Sequence, residues 1–190
     1  MADHSPFLGP DDPDLMLIRG IAAGDQRALD HLYARHGQAI LGFLMARLGS
    51  RALAEEVLQD VMLAAWENAD RFRAESKVRT WLLAIANNRA LNTIRGRKLD
   101  MVALNDAFEL PSEETGPFEK VARQAGYSSL RAAIDQLQAP QREVLVLVFF
   151  HQLSGPEVAE VLDISVGTVK SRLHRAKESL RRMMISEGGL

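Results

Sequence analysis

From Asp14 to about Lys98, apolar residues recur at the three-and-four spacing of a helix face. Leu15, Ile18 and Ile21/Ala22 form one stripe, Leu29, Leu32 and Tyr33 a second, and Ile40, Leu41, Leu44 and Leu48 a third. Val57, Val61, Ala64 and Ala65 continue the period, and Trp81, Leu82, Ile85, Ala86 and Leu91 fall on a further helix. Breaks at Gly24-Asp25, Gly49-Ser50 and Arg71–Ser76 carry residues that end or cap helices. The pattern predicts a bundle of four or five helices. Between Leu99 and about Gly126 the period fades, and LNDAFELPSEETGPFEK combines two prolines, a glycine and a block of acids, which reads as a flexible acidic linker. A second periodic region runs from Tyr127 to Met184. Within it, VLVLVFF (Val144–Phe150) suits either a strand or a buried helix; Pro140, which can start a helix, and the helical surroundings select the helix. The expected fold is all-α: two small helical domains, 14–98 and 127–184, joined by a linker at 99–126, with tails at 1–13 and 185–190.

The segment SGPEVAEVLDISVGTVKSRLHRAK (Ser154–Lys177) has its own internal logic. Ser154 followed by Glu157 is a capping box, with Pro156 tolerated in the first turn. Val158, Ala159, Val161 and Leu162 give a short helix one apolar face. Asp163 can adopt the left-handed conformation that a sharp turn needs, and Ser165 can cap the next helix. There Val169 and Leu173 point inward at i, i+4, leaving Thr168, Lys170, Ser171, Arg172, His174 and Arg175 on the rest of the surface. This helix-turn-helix pattern, with hydroxyl, basic and imidazole groups near its N-terminal half, suits the DNA major groove. An ordinary helical hairpin with a solvated basic face is the alternative. The following Arg175-Ala-Lys177 and Arg181-Arg182 suit phosphates, which supply affinity but little sequence information.

The net charge of −2 argues against nucleic acid, but its distribution reverses that inference. Arg71 to Lys98 holds eight basic residues against one acid, and Lys170 to Arg182 six against one. Ala54 to Asp70 holds five acids and no base, and Asp100 to Glu119 six acids and no base. Charge sorted into blocks predicts partners of opposite sign. The chain has no cysteine, which excludes disulfides and thiolate metal sites and suits a reducing compartment. No apolar run approaches the ~18 residues of a membrane span, and the acidic, proline-bearing N-terminus does not resemble a secretory signal. A cytoplasmic protein without membrane insertion is expected.

Two constellations stand out in the first domain. Glu56, Gln59 and Asp60, beside Glu55, share one helix face by their i, i+3, i+4 spacing. A solvated surface explains them, but like charges at i, i+4 oppose helix formation slightly, and a basic partner would relieve that. In FRAESKVRTWLLAIANN (Phe72–Asn88), aromatics stand beside arginine and lysine, a pattern that stacks on unpaired bases. Ser76, Lys77 and Asn88 could read the edge of a base drawn out of the stack. Core anchoring is the competing role for Phe72 and Trp81. The five histidines are dispersed, with His31 and His36 at i, i+5, so no metal site, cofactor or small-molecule substrate is expected. No nucleophile–base arrangement marks an enzyme.

These residues resemble a known pattern. AEEVLQDVMLAAW (54–66) is similar to region 2.2 of bacterial extracytoplasmic-function (group 4) sigma factors, FRAESKVRTWLLAIANNRALNTIRGRK (72–98) to their regions 2.3 and 2.4, and LSGPEVAEVLDISVGTVKSRLHRAKESLRR (153–182) to their region 4.2. The resemblance implies a promoter-specificity subunit that binds core RNA polymerase, recognises the −35 and −10 elements and helps melt promoter DNA. It also implies restraint by an anti-sigma factor. Carried over by position, Glu56, Gln59 and Asp60 would contact the polymerase. Phe72, Ser76, Lys77, Thr80, Trp81 and Asn88 would handle the melted −10 strand. Ser165, Thr168, Lys170, Ser171, Arg172, His174 and Arg175 would meet the −35 duplex. This chain departs from the pattern at Asn92, where many members carry an acid, at Gly155-Pro156, which replaces a commoner polar-aromatic pair, and at Asp163, where glycine is frequent. Two other readings stay open: a sigma-like decoy that sequesters an anti-sigma factor without binding DNA, and a dimeric repressor using only the second domain. Retention of Lys77, Arg172 and Arg175 argues against the decoy. The repressor leaves 14–98 without a role.

Overall fold

The computed structural model describes residues 12–103, 133–134 and 136–186. The chain divides into two compact units, split between Glu113 and Glu114. Among the described residues all regular structure is helical, in agreement with the all-α expectation.

In the first unit, α1 (Pro13–Ala22), α2 (Gln26–Leu48), α3 (Arg51–Asn68), a 3-10 turn (Ala69–Arg71) and α4 (Val78–Ala103) follow in order. The ends are written locally. Asp12 Oδ1 accepts the Asp14 and Leu15 amides at 2.8 and 3.2 Å, and Asp25 Oδ1 accepts the Arg27 amide at 2.9 Å, so orphan N–H groups are satisfied at both helix starts. Gly49, at φ 68°, closes α2 in the left-handed conformation that glycine adopts without strain.

α2 is the central element, packing against α1, α3 and α4. Its inward stripe of Leu32, Ile40, Phe43 and Leu44 meets Val57, Leu58 and Val61 of α3 and Val78, Leu82, Leu83 and Ala86 of α4 in one buried core. At the α1–α2 crossing a Cβ on Gly20 would fall 2.9 Å from the Cβ of Ala28, so the close approach requires glycine. Asp14 clips the two helices together: its Oδ2 lies 3.0 Å from Nε2 of the buried His36 and its Oδ1 3.0 Å from Nε of Arg35.

The structure revises the sequence reading in two places. The second and third stripes belong to one 23-residue helix. Gly37 does not break it, because that position is buried and the Tyr33 ring lies 3.5 Å from where its Cβ would stand, so packing offsets the roughly 1 kcal/mol helical cost of glycine. α4 also runs five residues past the expected end, so 99–103 are helical and not linker. The rest of the predicted linker, 104–126, lies outside the described residues, as do 1–11 of the expected N-terminal tail and 187–190.

In the second unit, α5 (Ala139–Phe149), α6 (Gly155–Leu162) and α7 (Val166–Ser186) form the predicted helix-turn-helix with a supporting helix. VLVLVFF is helical, with proline in the first turn; Val144 to Leu147 are buried while Phe149 and Phe150 are exposed. α7 packs on both other helices. Its Val169 and Ala176 are buried, and Leu180 and Met183 are half-buried against Leu137, Leu145 and Ile134.

The turn between α6 and α7 has the predicted chemistry. Ser154 N donates to Glu157 Oε2 at 2.8 Å, and the Ser154 hydroxyl meets the Glu157 amide at 3.5 Å, a closed capping box. Asp163 sits at φ 53°, ψ 52°, and Ser165 Oγ accepts the Thr168 amide at 3.1 Å. Ser154→Ala opens the box, and an expected loss of about 1 kcal/mol is read as a lower denaturant midpoint with unchanged slope.

Candidate nucleic-acid interface

Ala69–Arg71 turns the chain at the end of α3, and 72–77 then cross to the start of α4. Phe72 and Trp81, on either side of this loop, lie 4.9 Å apart between ring centroids and tilt by 45°. Both are half-buried, so each has a packed face and an open one. Ser76 is half-buried and Lys77 exposed. Ala74, at φ 57°, holds a left-handed conformation that costs an alanine about 1 kcal/mol. Such strain is retained where the surroundings over-determine a loop.

From Trp81 the α4 stripe continues through Ile85 and Asn88 to Asn92, at i, i+4, i+7 and i+11. This stripe forms one wall of an open groove of about 450 Å3. Ala64 and Asn68 at the end of α3, with Arg71 of the 3-10 turn, form the other wall, and Arg89 sits at the rim. No lining residue carries a carboxylate; two are arginines and three are asparagines. A groove with guanidinium charge, amide edges and an indole face accepts a polyanion with exposed bases.

Thr80 requires correction as a strand contact. It is 0% exposed, because it falls on the inner face of α4 between Val78 and Leu82, so its hydroxyl can only act through its neighbours. Asn68, Arg71, Arg89 and Asn92 were not among the expected site residues. Asn68 comes from α3 and Arg71 from the 3-10 turn; the charge block from Arg71 to Lys98 contains both arginines, and Asn92 stands out in the sequence only as a departure from the resemblance.

On α3, Glu56, Gln59 and Asp60 are exposed together as expected, while Glu55 pairs with a base on its own helix, its Oε1 lying 2.8 Å from Nε of Arg51. Within the same arc Leu63 is 55% exposed, at i+7 from Glu56 and i+3 from Asp60, with Glu67 one turn beyond. The result is an apolar knob inside a carboxylate fringe.

On α7, Lys170, Ser171, His174 and Arg175 are exposed and Thr168 and Arg172 half-buried. Ser165 and Thr168 are bonded to each other at 2.9 Å, and Ser171 Oγ donates to the Thr168 carbonyl at 3.0 Å. Ser165 therefore serves first as the helix cap. Val166 and Gly167, both exposed at the N-terminal end of α7, extend the surface beyond the residues the pattern singled out. The Nζ of the exposed Lys177 lies 5.6 Å from the Phe149 ring centroid, a cation–π pair across to α5.

A four-helix unit carrying a basic groove, followed by a helix-turn-helix unit, is the arrangement of RNA polymerase sigma factors. The Sigma-70 region 2 family matches residues 32–99 and the Sigma-70 region 4 family residues 127–180. The RNA polymerase sigma factor CnrH of Cupriavidus metallidurans is 30% identical over 185 residues, spanning 93% of this chain and 97% of its own length. The ECF RNA polymerase sigma factor SigW of Bacillus subtilis is 31% identical, over 88% of this chain and 94% of SigW. The solved complex of CnrH with the cytosolic domain of CnrY superimposes with a TM-score of 0.64 at 28% identity, covering 92% of this chain and 99% of CnrH there. The sigma factor RpoE of Bartonella quintana, solved with the anti-sigma factor NepR, shares the fold at a TM-score of 0.63 and 22% identity, over 82% of this chain and 95% of RpoE. This chain belongs to the extracytoplasmic-function RNA polymerase sigma factors. No described helix is long and apolar enough to cross a membrane.

Proposed function

We propose that three separate surfaces divide the work of this sigma factor. The exposed face of α3, with Glu56, Gln59 and Asp60, docks on core RNA polymerase. The groove between α3 and α4, with Trp81 and Asn88 in its lining, receives the melted −10 strand together with Phe72, Ser76 and Lys77 of the adjoining loop. The outer face of α7, from Thr168 to Arg175, lies in the major groove of the −35 element. One observation carries this reading: the carboxylates and the guanidinium and amide groups occupy different faces of the same small unit, so two partners of opposite charge can be bound at once.

The protein acts in the cytoplasm as an initiation factor and not as an enzyme. The decoy reading loses its appeal because Lys170 and Arg175 are exposed, where a mimic that avoids DNA would gain nothing from them. CnrH is seen with the cytosolic domain of CnrY, and RpoE with the anti-sigma factor NepR; a protein partner, an anti-sigma factor, fits this chain as well.

Run-off transcription with core polymerase and a genomic promoter library tests the whole assignment: defined start sites are expected, and a library that yields none refutes it. Arg175→Ala is expected to weaken −35 binding and lower the slope of log affinity against log salt by about one, the signature of one lost phosphate contact. An unchanged slope removes Arg175 from the backbone contacts.

A further inference from the structure

The groove continues past Asn88, and its far end has its own equipment. Asn92 is exposed one helical turn beyond Asn88 on the same stripe of α4. Across from it, Asn68 Nδ2 donates to the Ala64 carbonyl at 2.8 Å. That bond immobilises the Asn68 amide and leaves its oxygen and second hydrogen for a ligand. Arg71 and Arg89 supply positive charge for phosphates on either side.

We propose that this end of the groove receives a second unstacked nucleotide of the melted strand, the neighbour of the one that meets Asn88, and that Asn92, assisted by Asn68, reads its base edge. The inference rests on the assignment of this groove to the −10 element. Spacing supports it. Four residues along a helix rise about 6 Å, well beyond the 3.4 Å between stacked bases, so Asn88 and Asn92 address different bases, and neighbours only once those are unstacked.

The chemistry of residue 92 sets the preference. An amide offers a donor and an acceptor side by side and fits a base edge with an acceptor ring nitrogen next to an amine, an edge that adenine and unpaired cytosine both present. A carboxylate at this position, which the resemblance makes common, only accepts, so it keeps the bond from the amine and loses the one to the ring nitrogen. Asn92 therefore makes this chain select an amino-bearing base, adenine or cytosine, at one position of the −10 element, where an acid would select more weakly.

The test is transcription from a promoter library randomised across the −10 element, using core polymerase with the full-length wild-type chain, Asn92→Ala and Asn92→Asp. Asn92 is exposed, so thermal melts of the variants should match wild type. Wild type is expected to favour an amino-bearing base, adenine or cytosine, at one position by roughly tenfold, the size of one good base contact. Asn92→Ala flattens that position and leaves the rest of the profile intact; Asn92→Asp weakens the preference without abolishing it. Profiles for both variants that match wild type overturn the role of Asn92 while leaving the promoter assignment standing. A wild-type profile without any −10 preference overturns both.

Discussion

Leu63→Ala is expected to weaken binding to core RNA polymerase about thirtyfold, more than removal of any single carboxylate around it. Leu63 is more than half exposed on a helix whose other leucines, Leu53 and Leu58, are half-buried and buried, and an exposed leucine ringed by Glu56, Gln59, Asp60 and Glu67 is poorly placed for water alone. Seated in an apolar socket, it would lose about 2 kcal/mol on truncation, equal to that factor in Kd. The surrounding acids behave differently. They sit on the rim of the contact, where a charge acts mainly on the rate of encounter and is screened by salt. Asp60→Ala should therefore cost only a few-fold at low salt and almost nothing at high salt, whereas the Leu63 effect persists at both. Fluorescence anisotropy of labelled protein titrated with core polymerase at two ionic strengths separates them. Equal affinities for Leu63→Ala and wild type would remove α3 as the docking face.

The second large effect concerns the scaffold that holds that face and the groove in place. Phe43 is 2% exposed and is the largest fully buried side chain of the α2 core. Phe43→Ala leaves a cavity between α2, α3 and α4 and is expected to cost 3–5 kcal/mol. Native domains hold only about 5–15 kcal/mol in all, so a large part of the molecules would unfold near physiological temperature. Denaturant titration followed by circular dichroism reads this directly, and transcription from every promoter should fall together, since groove and docking face lose their common support. A loss below 1 kcal/mol would show that the core there can collapse around the gap.

Much of this arrangement was legible because the helix signals are local. The capping box at Ser154 and Glu157, the left-handed Asp163 and the cap at Ser165 are spelled out within a dozen residues, and the structure realises each one. Periodicity also placed the core stripes well. It failed where two stripes share one helix: Leu29–Tyr33 and Ile40–Leu48 read as separate elements, yet α2 runs through both, with the buried Gly37 between them packed against the Tyr33 ring. Thr80 reads as polar surface near the start of a helix, but its spacing to Leu83 and Asn87 puts all three on the inner face of α4.

Residues brought together only by the fold were harder to anticipate. Asn68 and Arg71 reach the groove from the end of α3, and no spacing rule links them to Asn88 or Asn92 on another helix. Leu63 was recoverable in principle, since it continues the Glu56, Gln59, Asp60 face by i+7, i+4 and i+3, but an apolar residue in an amphipathic helix reads as core until its exposure is seen.

The central claim is that oppositely charged surfaces of one chain face different partners in the same initiation complex. A photo-crosslinking amino acid placed in turn at Asp60, Asn88 and Arg175, in complexes with core polymerase and end-labelled promoter DNA, measures this most directly. The account predicts that position 60 joins to polymerase alone, position 88 to the −10 strand and position 175 to the −35 duplex. Crosslinks from positions 88 and 175 that reach only protein, with no DNA at either, would contradict it.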